Sequence, residues 1–379
     1  MAAVGPVLGG WLTTDFSWRL IFWINPPLAA LVVVGALLLV PESKEPDAPG
    51  LRDWVGVLLI SGGLALLVFG LIEGQRYGWW TADDQFLIGG TAWPLPGSPV
   101  PWAIGASLVL LGGFVAWTLW RERRGRPTLI NLRLFRLPTF RWGGVTILIV
   151  SLGEFGVIFV IPLFLQNVLG MSALGAGLVI LALAGGAMVS GGAAAPVSRA
   201  LGGHRIVQLG MALEIVGIVY FALVVDPTVS PWAFVAPLAI YGLGVGFATA
   251  QLTNVALGEV PVTESGQASA VQSTLRQVGS ALGTAVLGVA LAVATTHHVT
   301  DALTGEGLPA QQAEAIAKAV KSSAGTAIPQ LSEAPATAAL APALDSSFAS
   351  AVTTVGYVAA VFVFLGLIAS FRIPARATD

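Results

Sequence analysis

The chain of 379 residues has no cysteine, which excludes disulfides, thiolate metal sites and cysteine nucleophiles together and says nothing about compartment. Charge is nearly as scarce. Only 10% of residues are Asp, Glu, Lys or Arg, against about 25% in a soluble domain. With 55% hydrophobic residues and a mean hydropathy of +0.83, the chain lacks the polar surface needed to face water on all sides. It belongs in a lipid bilayer. A net charge of -2 argues against nucleic acid as a ligand. Lysine is rare (three, against 15 Arg), an imbalance with no functional signal of its own. Catalytic signatures are missing too: there is no H-E-x-x-H, no G-x-S-x-G and no phosphate-cradling G-x-x-x-x-G-K-[ST], so neither an enzyme nor an ATP-driven pump is expected. His297 and His298 are adjacent, with no spaced His or Cys partners, so no metal site and no cofactor are expected. The first residues lack a basic segment and a small-residue cleavage site, so no signal peptide is read.

What is present is a series of long apolar runs. A helix needs about 20 apolar residues to cross about 30 Å of hydrocarbon. Nine runs qualify, near 18–40, 54–72, 102–120, 142–165, 174–196, 206–225, 232–257, 270–295 and 348–371, and residues 1–14 resemble the tail of a tenth. None alternates with the period of two of a membrane barrel strand. The fold class is therefore an all-α membrane protein, a polytopic helical bundle with nine complete transmembrane helices and a partial one.

Lys and Arg collect in the cytoplasmic loops of membrane proteins with short loops. Placing the end of the 18–40 run inside puts 14 of the 18 basic residues on the cytoplasmic side: Lys44, Arg52, Arg121, Arg123, Arg124, Arg126, Arg133, Arg136, Arg141, Arg199, Arg205, Arg276, Arg372 and Arg376. Arg19, Arg76, Lys318 and Lys321 stay outside. The C-terminus is then cytoplasmic and the chain a multi-pass protein of the cell membrane. Trp18, Trp54, Trp79, Trp80, Trp102, Trp120, Trp142 and Trp232 fall at run ends, where indole rings settle among headgroups.

Three connections stand out. Arg121 to Arg141 holds seven Arg against Glu122 alone and reads as a topology determinant in contact with anionic headgroups. Residues 73–101 form a Gly/Pro/Trp-rich external loop. Residues 297–347 form a second external loop, Ala-rich and acidic, in which Pro309 to Ser323 is read either as a short surface helix or as a disordered linker.

Within the runs, Gly242 with Gly246 and Gly279 with Gly283 have the spacing of close helix contact faces. Gly5-Pro6-Val7-Leu8-Gly9-Gly10 combines a missing backbone donor with room for a close neighbour. Glu154 and Glu214 lie near the centres of their runs, where an unpaired charge costs several kcal/mol or is neutralised. Both should face protein or a water-filled cavity. Gly210 and Gly217 flank Glu214, so its face is narrow and packed against another helix. Two readings stand for each Glu: a group that couples proton or substrate movement, or a neutral, hydrogen-bonded structural carboxyl. Tyr241, Gln251 and Asn254, then Gln272 and Arg276, form a later polar stripe that lines an aqueous path or marks the cytoplasmic entry of a helix.

The Gly5 to Gly10 segment, followed by Trp18-Arg19-Leu-Ile-Phe-Trp-Ile-Asn25-Pro26-Pro27, resembles the antiporter signature of drug/proton antiporters of the major facilitator superfamily, the 14-helix drug:proton antiporter-2 subfamily best. Ile161-Pro162-Leu-Phe-Leu-Gln166, Leu169 to Gly177, and Gly266 to Ala270 with Leu275-Arg276-Gln277 are similar to later parts of that subfamily. The resemblance implies a secondary active transporter that exports amphiphilic or cationic drugs in exchange for protons, by rocking two six-helix halves about a central cavity. Its partners would be a small-molecule substrate, protons and the bilayer, with no obligate protein partner. It also implies three parts: 1–40, a remnant of the N-terminal half (helices five and six); 41–141, two inserted helices and an Arg-rich cytoplasmic linker; and 142–379, the complete C-terminal half. On this reading the first four helices are missing, through a misassigned start or because the chain is a fragment. The cytoplasmic gating loop would hold Arg199, Gly202 and Arg205, but Ser198 stands where the family has Asp. The alternatives are a non-transporting membrane fragment or scaffold, or an exporter of a lipid, siderophore or secondary metabolite.

Overall fold

The computed structural model describes residues 4–41, 53–82, 84–88, 90–335 and 337–374. Lys44, Arg52 and Arg376 of the basic set lie outside them, as does the boundary at 41 save its first residue; the Pro6 side chain is likewise not described. Thirteen α-helices are present among the described residues: α1 (Val4–Asp15), α2 (Leu20–Trp23), α3 (Asn25–Leu39), α4 (Trp54–Tyr77), α5 (Pro99–Arg123), α6 (Pro138–Asn167), α7 (Ala173–Leu201), α8 (Gly203–Val224), α9 (Val235–Ala256), α10 (Ser265–Gly305), α11 (Ala310–Ser322), α12 (Ile328–Glu333) and α13 (Ala341–Ser370). Nine stretches among them are long and apolar enough to cross a membrane, matching the nine runs of the sequence. The protein is an all-α polytopic membrane protein.

Local chemistry sets the helix ends. Asp53 caps α4 by accepting from the Gly56 N–H at 3.0 Å, Ser98 accepts from Val100 N ahead of Pro99 at the start of α5, and Ser172 accepts from Gly175 N at the start of α7. Gly202, at φ +85°, turns the chain between α7 and α8. The turn after α8 is closed by Asp226, which accepts from the N–H and hydroxyl of Thr228; these bonds hold its carboxyl below the usual carboxylate range.

The long helices α6, α7, α8, α9, α10 and α13 pack into one body. The tightest pairings are α8 with α9, α7 with α9, and α6 with both α10 and α13. The glycine pairs are contact faces, as the sequence predicts. A side chain at Gly242 or Gly246 would strike the α7 backbone at Leu183 or Ala187, and one at Gly279 or Gly283 the α6 backbone at Leu148 or Leu152. α4 and α5 pair with each other, and α4 leans on α10. α1 packs on α7, whereas α3 buries none of its residues.

Several elements outrun the sequence reading. α10 runs for 41 residues, about 60 Å at ~1.5 Å per residue, because polar turns at both ends continue the helix where hydropathy fades. The 73–101 segment carries α4 on to Tyr77 and then a small antiparallel hairpin, β1 (Leu87–Ile88) against β2 (Thr91–Ala92). In the 297–347 segment the surface-helix reading holds: α11 forms because Ala313, Ala317 and Val320, spaced by four and three, bury one face of it.

Gly217 is the sharpest packing test. A Cβ there would lie 2.5 to 2.6 Å from the backbone and Cβ of Tyr241, whereas Gly185 on α7 has nothing within 4 Å. Gly217→Leu should cost about 1–3 kcal/mol and lower the melting midpoint in detergent by several degrees, with Gly185→Leu unchanged. Equal midpoints for both variants would refute this packing.

Candidate functional site

Four helices bring the intramembrane polar groups together. Glu154 on α6 is 5% exposed, and Glu214 on α8 and Tyr241 on α9 are 0% and 1% exposed. Tyr241 donates its hydroxyl to the Glu154 backbone carbonyl at 3.3 Å, stitching α9 to α6 at the level of the carboxyl. Glu154, Glu214 and Tyr241 are close enough to interact electrostatically, and both carboxyls also interact with Arg276 on α10.

Backbone proximity makes the enclosure. Gly244 on α9 lies so close to Glu214 that an added Cβ would meet its backbone nitrogen and, at 2.7 Å, its Cγ. Gly210, one turn before Glu214, presses on Ala248 in the same way. Of the two carboxyls, Glu154 Oε1 and both Glu214 oxygens are buried with no hydrogen-bond partner among the described residues. Unpartnered buried polar atoms are uncommon and mark a group with more than a packing role, or one satisfied by water or by its own proton. This arrangement can hold and hand over a proton; it cannot hold two ionised carboxylates side by side without a large desolvation cost.

The late polar stripe divides. Tyr241 joins the carboxyls, whereas Gln251 and Asn254 lie at the Arg-rich end of the bundle. There they line a cavity of about 180 Å³ with Thr139, Ser198, His204 and Pro374. Ser198 donates to Gln251 Oε1 at 3.3 Å, and Asn254 turns back on the Ala250 carbonyl at 3.1 Å. Gln272 on α10 is 3% exposed, with neither amide atom hydrogen-bonded among the described residues, one turn from the half-buried Arg276. In the 199–205 loop, Arg199 and Arg205 are exposed and Gly202 makes the turn, and the neutral Ser198–Gln251 pair ties the end of α7 to α9.

Of the Gly5 to Gly10 segment, Gly5 is exposed and Gly10 is buried, the latter within 2.7 Å of the Ala173 carbonyl for an added Cβ. Gly9 and Gly10 line an apolar cavity of about 310 Å³ with Thr13 of α1, Ile158 and Gln166 of α6, and Ile180 of α7. Sequence reading did not foresee this cavity, although Pro162, which removes a donor from α6, and Gln166, which donates to the Pro162 carbonyl at 3.3 Å, both lie in a segment it singled out. It also missed the buried pair of Asp53 and Arg121 at 3.6 Å, whose only legible sign was an acid just before an apolar run.

Glu214 gives a direct check on burial. Glu214→Gln should fold with the wild-type melting midpoint, and Glu214→Lys, a fixed charge at a fully buried position, should lose several kcal/mol and fail to give monodisperse protein in detergent. Equal behaviour of the two would place Glu214 at an open surface.

A family model described as Major Facilitator Superfamily matches residues 1–284. The chain is 33% identical over 298 residues to a probable actinorhodin transporter of Streptomyces coelicolor, covering 76% of this chain and 48% of that one. It is 31% identical over 295 residues to a multidrug resistance protein B homolog of Mycobacterium tuberculosis, covering 77% and 51%. It is 29% identical over 294 residues to a tetracenomycin C resistance and export protein of Streptomyces glaucescens, covering 76% and 50%. The chain thus spans about half the length of the curated relatives it matches.

Proposed function

The chain belongs to the major facilitator superfamily, and from that premise we propose that it serves a secondary active transporter of the 14-helix drug:proton antiporter-2 type, driving proton-coupled efflux of amphiphilic or cationic organic compounds. The observation that carries this reading is the enclosed pair Glu154 and Glu214, which Tyr241 and Arg276 accompany on two further helices. A carboxyl pair in such a place exchanges one proton at a time, because ionising both sets two negative charges inside the bundle against the single cation Arg276. The apolar cavity beside Gly9 and Gly10 suits the greasy part of a cargo, with Thr13 and Gln166 as its few polar groups. In this proposal 1–40 serves the N-terminal half, 41–141 holds the inserted pair and linker, and 142–379 is the C-terminal half.

A second reading, export of a secondary metabolite by the same mechanism, is favoured by the names of two relatives, which refer to actinorhodin and to tetracenomycin C. Dye efflux and metabolite efflux from the same vesicles separate the two cargos. For either cargo, vesicles from cells expressing the full reading frame that encodes this chain should show efflux that depends on an imposed proton gradient, and Glu154→Gln with Glu214→Gln should lower it to the level of empty vesicles. Efflux indifferent to the gradient, or unchanged in the double variant, would contradict the mechanism.

The orientation is likewise proposed, with the Arg-rich end and the C-terminus in the cytoplasm and the protein in the cell membrane. A chain without cysteine makes the check clean. An impermeant maleimide applied to intact cells should label Gln312→Cys and not Arg133→Cys; the reverse pattern would invert the topology.

A further inference from the structure

The connection between α5 and α6 is short and tethered at several points. Both flanking helices are membrane spans, so the residues between Arg123 and Pro138 must lie at the boundary between lipid and water. Arg121 donates from Nε and Nη2 to the Pro127 carbonyl at 2.9 and 2.7 Å while pairing with the buried Asp53, which also accepts from Trp117 Nε1 at 2.8 Å. Further on, Asn131 donates its backbone N–H to Gln267 Oε1 and its side-chain amide to Glu264 Oε1, and Glu122 accepts from Leu132 N. Glu122, in the last turn of α5, therefore holds the linker backbone at Leu132, and Glu264, just before α10, holds the Asn131 side chain.

Its arginines are differently disposed. Arg124 and Arg126 stand over the ring of Trp120, at 4.1 and 5.6 Å, and Trp120 is itself stacked on Trp117 at 5.0 Å. Arg141 and Arg372, from the two ends of the C-terminal bundle's chain, stand over Trp142 at 5.8 and 5.6 Å. All four are exposed, and no ion pair joins any of them to an acid among the described residues. A guanidinium laid on an indole face is held in place by that face while its N–H edge stays free to donate to an oxyanion. Between the linker and the start of α10 is a polar cavity of about 280 Å³ that adds Arg126 and Arg133 to its lining, opposite Glu122 and Glu264.

We propose that these two arginine–tryptophan–arginine clusters, around Trp120 and Trp142, form a binding surface for the phosphodiester headgroups of anionic phospholipid. The depth fits, because indole rings settle at the headgroup level of a bilayer. The charge fits, because Arg121 to Arg141 carries seven Arg against one Glu. The geometry fits a bound lipid better than a diffuse counterion layer, because the buried Asp53, Arg121 and Trp117 network fixes the position of the Trp120 cluster. The clusters stand at opposite ends of the linker, so lipid held on both would brace the α4–α5 pair against the six long helices. This inference requires only membrane insertion and stands apart from any transport activity.

The test uses the purified full chain, stripped of lipid in detergent, with its melting midpoint followed as phosphatidylglycerol, phosphatidylcholine or inorganic phosphate is added. Phosphatidylglycerol should raise the midpoint by several degrees more than phosphatidylcholine, and inorganic phosphate should leave it unmoved. The combined variant Arg124→Gln, Arg126→Gln, Arg141→Gln, Arg372→Gln should keep its midpoint in phosphatidylcholine and lose most of the phosphatidylglycerol increment. Equal increments from the two lipids, an increment retained in the variant, or one reproduced by free phosphate would each overturn the proposal. Lipid retained by the wild-type chain through gel filtration gives a readout that does not depend on the variant folding. Phosphatidylglycerol should exceed phosphatidylcholine by at least about fivefold, the ratio that one arginine near the surface supplies at ~1 kcal/mol, and equal retention would sink the idea.

Discussion

Everything in the six-helix body depends on how closely its backbones approach one another. In lipid, burying an apolar side chain against another helix gains little over leaving it among acyl chains, so association rests on dispersion contacts between closely fitted surfaces. Here the fit is made at glycine. Gly210, Gly217 and Gly244 seal α8 to α9, Gly242 and Gly246 seal α9 to α7, and Gly279 with Gly283 seals α10 to α6. At nearly every one of these positions a Cβ would meet neighbouring backbone, which cannot swing aside as a side chain can.

The same contacts explain why two carboxyls can occupy the middle of the bundle. Glu214 is walled in by α9 through Gly244, and Glu154 is held on α6 beneath the Tyr241 hydroxyl. With their oxygens largely unpartnered, proton exchange at one carboxyl changes the field at the other with little solvent to screen it. Packing and chemistry are thus one feature: opening the helix contact would wet the carboxyls and remove their coupling. The proposed antiport uses that coupling. In that proposal cargo sits apart from the carboxyls, against the apolar wall where α1 meets α6 and α7.

Much of this was legible in the sequence, for identifiable reasons. Membrane spans were readable because a bilayer imposes a minimum apolar length, and all nine runs have counterparts in the structure. The enclosure of Glu214 was readable because Gly210 and Gly217 lie on its own face of the helix, a local relation that periodicity reveals. Tyr241 and Glu154, 87 positions apart, meet through the packing of α9 on α6, and no local pattern encodes that. Asp53 shows the same limit, since its cap on α4 is local and its partner Trp117 is 64 positions away. Gln251 and Asn254 share a helix with Tyr241 yet lie 10 and 13 residues on, about 15 to 20 Å along the axis. A stripe that looks continuous in sequence therefore serves two levels of the membrane.

The central claim is that Glu154 and Glu214 form one proton-exchanging unit inside the packed bundle. It is tested most directly by mixing the purified protein with a cationic dye in weakly buffered detergent solution and following a pH indicator. The account predicts that binding of the dye expels protons into the medium, and that the signal disappears when both residues are changed to glutamine while the dye still binds. Dye binding with no proton released, or release that survives the double replacement, would contradict it.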